Sequence, residues 1–315
     1  MTLGGEHLSF ETLTIDRQQL VLKRSEPIAP YTTFGIGGPA DVLVEAYTEQ
    51  ALQQVVREAI DTGTRWLLIG GGSNLLVGDT GFRGLVIVNR IEHLRVNGTR
   101  IVAGAGADLG EVVEAAREHS LAGIEFAIDI PGTVGGAIRG NAGAFGRSVA
   151  DISVRIRLLE GTELVDRAPS ELGFAYRHSN LKLNDHIVVE TEFQLAPGDR
   201  AEMDRIMGQH AAQRARRKEK GLNTAGCFFK NPILADGQKV AAGQLLEAAG
   251  AKEIRDGGAG VHAYHANYIV NRGGASADEV LRVAREMKRR VQESAGITLE
   301  EEVMVVMDPP AHGAV

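Results

Sequence analysis

The chain is nearly without cysteine: Cys227 is the only one in 315 residues. One thiol closes no internal disulfide and builds no multi-cysteine metal site, and such thrift points to a reducing compartment, the cytoplasm. Aromatic residues are scarce at 5%, so base-stacking platforms for nucleic acid are not indicated. Nor is there a basic surplus. Lys and Arg number 34 against 41 Asp and Glu, a formal charge of -7, the wrong sign for a surface that tracks phosphates. The densest basic run, Arg214 to Lys220, reads as the solvated face of a helix. No stretch approaches the ~18 apolar residues of a membrane span. The opening MTLGGEHLSF lacks the basic start and apolar run of a secretory signal. Without export, the sequon at Asn97 reads better as a hairpin turn. Nucleic acid, membrane and an obligate protein partner are therefore not expected.

Glycine, by contrast, is abundant. The 39 glycines exceed the usual ~7% and gather in GIGG, GGGSN, AGAGADLG and PGTVGGAIRGNAGAFG. Such clusters mark tight turns or places where backbone approaches a ligand closely.

The first twenty or so residues carry little pattern and read as an extension. Leu52, Val55, Val56 and Ile60 recur at helical spacing between Thr48 and the stop at Gly63. RWLLI and GLVIVNR read as buried strands, and LRVNGTRIVAGAGA as a hairpin through Asn97-Gly98. Asp108 caps a helix that stops at Gly123. Strands ISVRIRLLE and HIVVETEFQLA lead to a domain boundary near Pro197, after which a long helix runs from Ala201 to Lys220. GQLLEAAG is a short helix, NYIVN a strand, and Ser276 with Glu279 forms a capping box for a helix beginning at Ala277. TLEEEVMVV closes as a strand. Hairpin and crossover connections mix, so the expected class is α+β. That divides the chain into an extension over 1–20, a domain over 21–197 with parts about 21–90 and 91–197, and a second domain over 198–315.

Successive backbone N–H groups in a glycine turn form an anion-binding nest. IGGGSN after a buried strand offers one and IPGTVGGAIRGNAGA another, with Thr133 and Asn141 as further donors. Neither has the spacing of a dinucleotide or P-loop fingerprint. His262 and His265 share an H-x-x-H spacing but lack a third ligand, so no metal is expected.

Eight segments in order, YTTFGIGGPAD, LLIGGGSNLLVGDTGFRGLVI, IPGTVGGAIRGNAGAFG, FAYRHSN, AGCFFKNP, AAGQLLEAAG, HANYIVN and LEEEV, resemble the UDP-N-acetylenolpyruvoylglucosamine reductases, in the shorter second type of the family. The resemblance covers about Tyr31 to Val303. It implies an FAD-binding domain of the vanillyl-alcohol-oxidase type in two α/β subdomains, and a C-terminal substrate domain. It places Gly70, Gly71, Gly72, Ser73 and Asn74, and Pro131, Gly132, Thr133, Gly135 and Gly136, at FAD, with Asn141, Gly143 and the strand around Val188 as weaker candidates. It further implies NADPH as electron donor and UDP-N-acetylglucosamine enolpyruvate as substrate. Reduced flavin would give hydride to the vinyl carbon, with the enolate then stabilised and protonated.

Arg177 matches the family arginine, suited as an always-charged bidentate donor to the substrate carboxylate. Glu302 matches the glutamate that supports the enol form; alternation puts Glu300, and not Glu301, on its face. Cys227 stands where most of the family has serine as proton donor. A thiol, with pKa about 8.5, gives up a proton more readily than a hydroxyl, at the cost of weaker hydrogen bonds and a liability to oxidation. Lys230, Asn231 and Lys239 match positions near the diphosphate, with Tyr176, His265 and Asn267 beside them. A flavin oxidase, or a non-catalytic binder of flavin or UDP-sugar, would not need YR, GCFF and EEEV together.

Overall fold

The structure, a computed structural model, describes residues 20–215 and 223–308. The expected N-terminal extension, apart from Leu20, and most of the basic run lie outside them.

Two sheets build the N-terminal part. The first has the order 20–27, 39–46, 82–89 and 66–69. Its outer pair is antiparallel and the other two pairs are parallel. The parallel strands are near-continuous apolar runs, as strands covered on both faces must be. Helix α1 (Glu49–Asp61) supplies one cover, started by the Thr48 hydroxyl, which accepts from Ala51 N at 3.2 Å. Its Leu52, Val55 and Val56 pack on Val44, Leu85 and Ile87, and also on Leu159, Ile187 and Val189 of the second sheet. Ile60, counted by periodicity into that stripe, is instead 49% exposed.

The second sheet is antiparallel, ordered 163–167, 153–160, 187–194, 100–104 and 94–97. The hairpin expected at Asn97-Gly98 is present, shifted by one: Asn97 ends a strand paired to Arg100, and Gly98 has φ 59. Helix α2 (Leu109–Glu118) carries its Asp108 cap at 2.7 Å but stops short of Gly123, yielding to a short strand at 121–122. Within the second glycine cluster, α3 (Val134–Gly140) is a helix that no periodicity announced. Its first amides are held from outside, Val134 N on Ala107 O and Gly135 N on Ala105 O, both at 2.9 Å.

Helix α4 (Arg200–Ala215) follows Pro197 yet packs back on the second sheet's unit. Met207 joins that core, and Arg117 reaches Asp204 at 2.5 Å. The packing thus carries this unit past the boundary expected at Pro197. Beyond it, α5 (Ala242–Ala248), a small sheet of 255–256, 259–261 and 269–271, and α6 (Ala277–Ala295) enclose a separate core. The capping box of α6 is present: Glu279 N donates to Ser276 Oγ at 3.2 Å and Ser276 N to Glu279 Oε2 at 3.1 Å. Phe228 and Phe229 fill this core edge to face at 5.2 Å; burying each side chain is worth about 1.5–3 kcal/mol.

The chain then returns to its beginning. Met304–Val306 lies parallel to Leu75–Val77, and Phe34 and Ile36 enter the C-terminal core. Among the described residues, no helix is long and apolar enough to cross a membrane.

Candidate active site

The two glycine loops meet. Gly70 to Asn74 follows the strand 66–69 and lies against Pro131 to Thr133, with Ser73 Oγ donating to Pro131 O at 3.1 Å. The packing around the first loop is tight on two sides. A Cβ on Gly71 would sit 3.0 Å from Gly132 Cα, and one on Gly72, at φ 59, would sit 1.9 Å from Tyr31 O. Among the described residues, the amides of Gly71, Gly72, Ser73, Gly132 and Thr133 donate to no protein acceptor. Five N–H groups in two touching loops make an anion-binding concavity, and the residues present fit the pyrophosphate of a dinucleotide cofactor. Gly135 and Gly136 differ, since their amides are already taken, Gly135 N by Ala105 O at 2.9 Å and Gly136 N by the Thr133 hydroxyl at 3.5 Å. Asn141 is also committed: Nδ2 donates to Ala175 O at 2.9 Å and Oδ1 accepts from Ala150 N at 3.3 Å. Val188 is buried in the sheet, its carbonyl accepting from Asn89.

Arg177 and Glu302, 125 positions apart by their numbers, meet with Nε 2.7 Å from Oε1. Nε makes no hydrogen bond, so this is charge on charge, with the N–H aimed elsewhere. Nη1 donates to Gly143 O at 3.2 Å, which ties the guanidinium to the glycine cluster. Glu302 is held above the ordinary carboxylate range chiefly by burial, against the pull of Arg177, Lys182, Lys230 and Lys239. A buried acid amid cations can keep a proton while the site keeps its positive field. Glu300 pairs with Lys230, and Glu301 with Lys288 of α6 at 2.8 Å, so alternation sends 300 and 302 to the site and 301 away.

Cys227 is bridged to Tyr268, and the next residue carries the neighbouring strand: Phe228 O accepts from Glu302 N at 2.8 Å. The thiol thus stands one residue from the Glu302 backbone contact. Tyr176 is half-exposed; its phenol is held above the ordinary range by burial, with Arg177, Glu302 and Cys227 among the charges it feels. Lys239 lies over that ring at 3.0 Å from its centre. Asn231 Oδ1 accepts from Ala242 N at 3.0 Å, starting α5. Asn267, buried, gives its whole amide to Phe229, accepting from N at 3.0 Å and donating to O at 2.8 Å. His265 accepts from Asn267 N at 3.2 Å and lies against the Tyr268 ring, centroids 4.3 Å apart and tilted by 35°. Among the described residues no group of three His, Cys, Asp or Glu side chains is set to hold a metal.

Two participants escaped the sequence reading. Lys182 donates to Arg177 O at 2.9 Å; in SNLKLND it looks like any surface lysine. Thr33 donates its amide to Gly72 O at 3.1 Å and its hydroxyl to Thr224 O at 2.8 Å. It joins the first glycine loop to the segment before Cys227.

Comparison with known proteins gives the same reading. Residues 40–166 match the family model of an FAD binding domain, and 217–306 the C-terminal domain of UDP-N-acetylenolpyruvoylglucosamine reductase. The molecule is a flavoprotein oxidoreductase of α+β class. UDP-N-acetylenolpyruvoylglucosamine reductase of Pelobacter propionicus is 40% identical over 290 residues, spanning 91% of this chain and 96% of that one. The Solibacter usitatus protein of the same name is 37% identical over 305 residues, 91% of this chain and 97% of that one. The crystal structure of the Thermus caldophilus reductase superposes with a TM-score of 0.78 at 34% identity, covering 91% of this chain and 99% of that one. The chain belongs to the UDP-N-acetylenolpyruvoylglucosamine reductase family, flavoenzymes of peptidoglycan precursor synthesis.

Proposed function

We propose that the protein reduces UDP-N-acetylglucosamine enolpyruvate to UDP-N-acetylmuramate with electrons from NADPH. The observation that carries this reading is the convergence of Arg177, Glu302 and Cys227 beside the two glycine loops. The chemistry that bound FAD would supply is two-electron hydride transfer between NADPH and the vinyl carbon of the substrate. Gly71 to Ser73 with Gly132 and Thr133 would hold its pyrophosphate. Arg177 binds the substrate carboxylate and stabilises the charge that spreads into it. Glu302, protonated at the start, donates a hydrogen bond to that oxygen as the enolate forms. Cys227 Sγ gives its proton to the carbon beside the carboxylate, leaving a thiolate that solvent reprotonates. Lys230 and Lys239 with Asn231 and Tyr176 receive the diphosphate side of the substrate. Asn267 and His265 act one layer out, holding the strands that carry Cys227. Residues from about 21 through α4 form the cofactor part in this reading and the remainder the substrate part. The single cysteine suits a cytoplasmic enzyme, working without an obligate protein partner.

The test is spectroscopic and anaerobic. Protein reduced by NADPH and freed of excess donor is mixed with the enolpyruvyl substrate while the flavin band is followed. Prompt reoxidation without oxygen is expected. A flavin that stays bleached until air is admitted would indicate an oxidase, and a protein with no flavin band would overturn the cofactor assignment.

A further inference from the structure

Arg177 sits at the strained corner of the site. Ala175 and His178 exchange both main-chain hydrogen bonds, each N–H to the other's C=O at 3.1 Å. Tyr176 and Arg177 are thereby forced to the two corners of a closed four-residue turn. Arg177 has φ 54, the left-handed region where turns ordinarily place glycine and where a side-chain-bearing residue is strained. Its guanidinium is aimed by this backbone, so whatever fixes the turn fixes the aim.

We propose that Lys182 is a positioning residue for Arg177: its ammonium, 2.9 Å from the Arg177 carbonyl, clamps the strained turn and sets where the guanidinium meets the substrate carboxylate. The inference rests on the reading of Arg177 as carboxylate ligand. Lys182 is itself anchored. It belongs to the short turn Asn180–Leu183, in which Lys182 N donates to Ser179 O at 3.1 Å. Ser179, wholly buried, donates its hydroxyl to Arg139 O at 2.7 Å, and the Arg139 guanidinium returns to Leu181 O. That staple ends on α3, the helix that begins at the second glycine loop. A rigid path therefore runs from the cofactor loop to the carbonyl of Arg177.

A surface lysine with no task would leave its ammonium in water and keep its rotamer freedom. Lys182, though exposed at the surface, instead reaches back five residues to this carbonyl, among cations that repel it. Burial and then Lys230 hold it below the ordinary lysine range, with Arg139 and Arg177 adding to that and Glu302 opposing. The clamp is thus maintained against electrostatic opposition.

Stopped-flow half-reactions on the FAD-loaded enzyme test this. Lys182→Met keeps the stem and removes the donor. It is expected to slow flavin reoxidation by the enolpyruvyl substrate about 10- to 100-fold, the range for a displacement of about 1 Å. Flavin content, melting temperature and bleaching by NADPH should stay as in the native enzyme. Lys182→Arg, which keeps a charged donor, should recover most of the rate, and Lys182→Gln serves if the methionine variant fails to fold. If Lys182 acts through Arg177, the Lys182→Met, Arg177→Met double variant is no slower than Arg177→Met alone. Reoxidation within twofold of native in Lys182→Met, equal slowing of both half-reactions, or additive losses in the double variant would each overturn the inference. If Arg177→Met alone leaves reoxidation untouched, the reading of Arg177 fails instead, and the two failures are distinct.

Discussion

Asn74 and Glu302 clasp each other's backbone neighbourhood: Asn74 Nδ2 donates to Glu302 O at 2.9 Å, and Met304 N returns to Asn74 O at 3.0 Å. The last residue of the first glycine loop thus positions the segment bearing the carboxylate, though 228 positions separate them. The first glycine loop and the Glu302 segment are one assembly, and disturbing either end is felt at the other.

At Cys227 the expected outcomes are graded. Cys227→Ser should keep substantial turnover, since a hydroxyl can occupy the same place as proton donor. Cys227→Ala should lose about 10²–10⁴-fold, the usual contribution of a positioned acid, measured as steady-state kcat with NADPH. Alanine matching the native rate would remove the thiol from the reaction.

Glu302 trades stability against activity. Its folded pKa lies above the unfolded value. The sign follows: full stability is present below the unfolded pKa and is lost as pH rises through the folded one, because the buried carboxyl must then ionise. Glu302→Gln, permanently neutral, should melt at or above the native temperature at pH 8. That advantage should vanish below the ordinary glutamate range. Turnover should meanwhile fall by about 10²–10³-fold, as when a donor to a developing oxyanion is removed. A glutamine variant that melts lower at pH 8 than at pH 4, relative to native, would reverse the sign.

Thr33 links the two halves of the site through one side chain. Thr33→Val keeps the shape and strands the Thr224 carbonyl, at a cost of about 1–3 kcal/mol. We expect FAD to bind more weakly and kcat to fall together, with Thr33→Ser restoring both; equilibrium flavin titration alongside kcat gives the answer.

Asn267 tests the opposite kind of role. Removing its buried amide in Asn267→Ala leaves Phe229 N–H and C=O unsatisfied, and about 1–3 kcal/mol per group should be lost in urea denaturation. At permissive temperature the KM for substrate should move less than the stability does. A large KM rise at native stability would make Asn267 a substrate ligand.

Legibility in the sequence followed the range of the forces. Helices α1, α2 and α6 announce themselves through apolar spacing and caps at Thr48, Asp108 and Ser276, interactions that close within four residues. Helix α3 did not, because three of its seven residues are glycine and its first turn is held by Ala105 and Ala107 from another segment. The strand 20–27 was missed for a related reason. Lys23 lies inside it, made tolerable by Glu45 at 2.8 Å and the Tyr31 hydroxyl at 2.6 Å. Family motifs located Arg177, Cys227 and Glu302, and the fold brings them together. Motif matching could not tell that the amides of Asn141 and Asn267 are engaged by backbone, since an asparagine that binds ligand and one that binds its own chain look alike in sequence. Nor could it find Lys182, whose acceptor is a carbonyl and leaves no mark in the residue code.

The parallel pairing of Met304–Val306 with Leu75–Val77 has a temporal side. On the ribosome the first glycine loop emerges more than 200 residues before the strand that pairs beside it, and contacts of such sequence separation form late. Until residues 302 to 306 are made and docked, the first unit lacks a neighbour for Leu75–Val77 and the site lacks its acid. The first glycine loop is thus made well before its neighbour finds a partner strand, and the pairing of Arg177 with Glu302 is among the last contacts to close. Synthesis broken off before Glu302 leaves a chain with both glycine loops and without the carboxylate that meets Arg177.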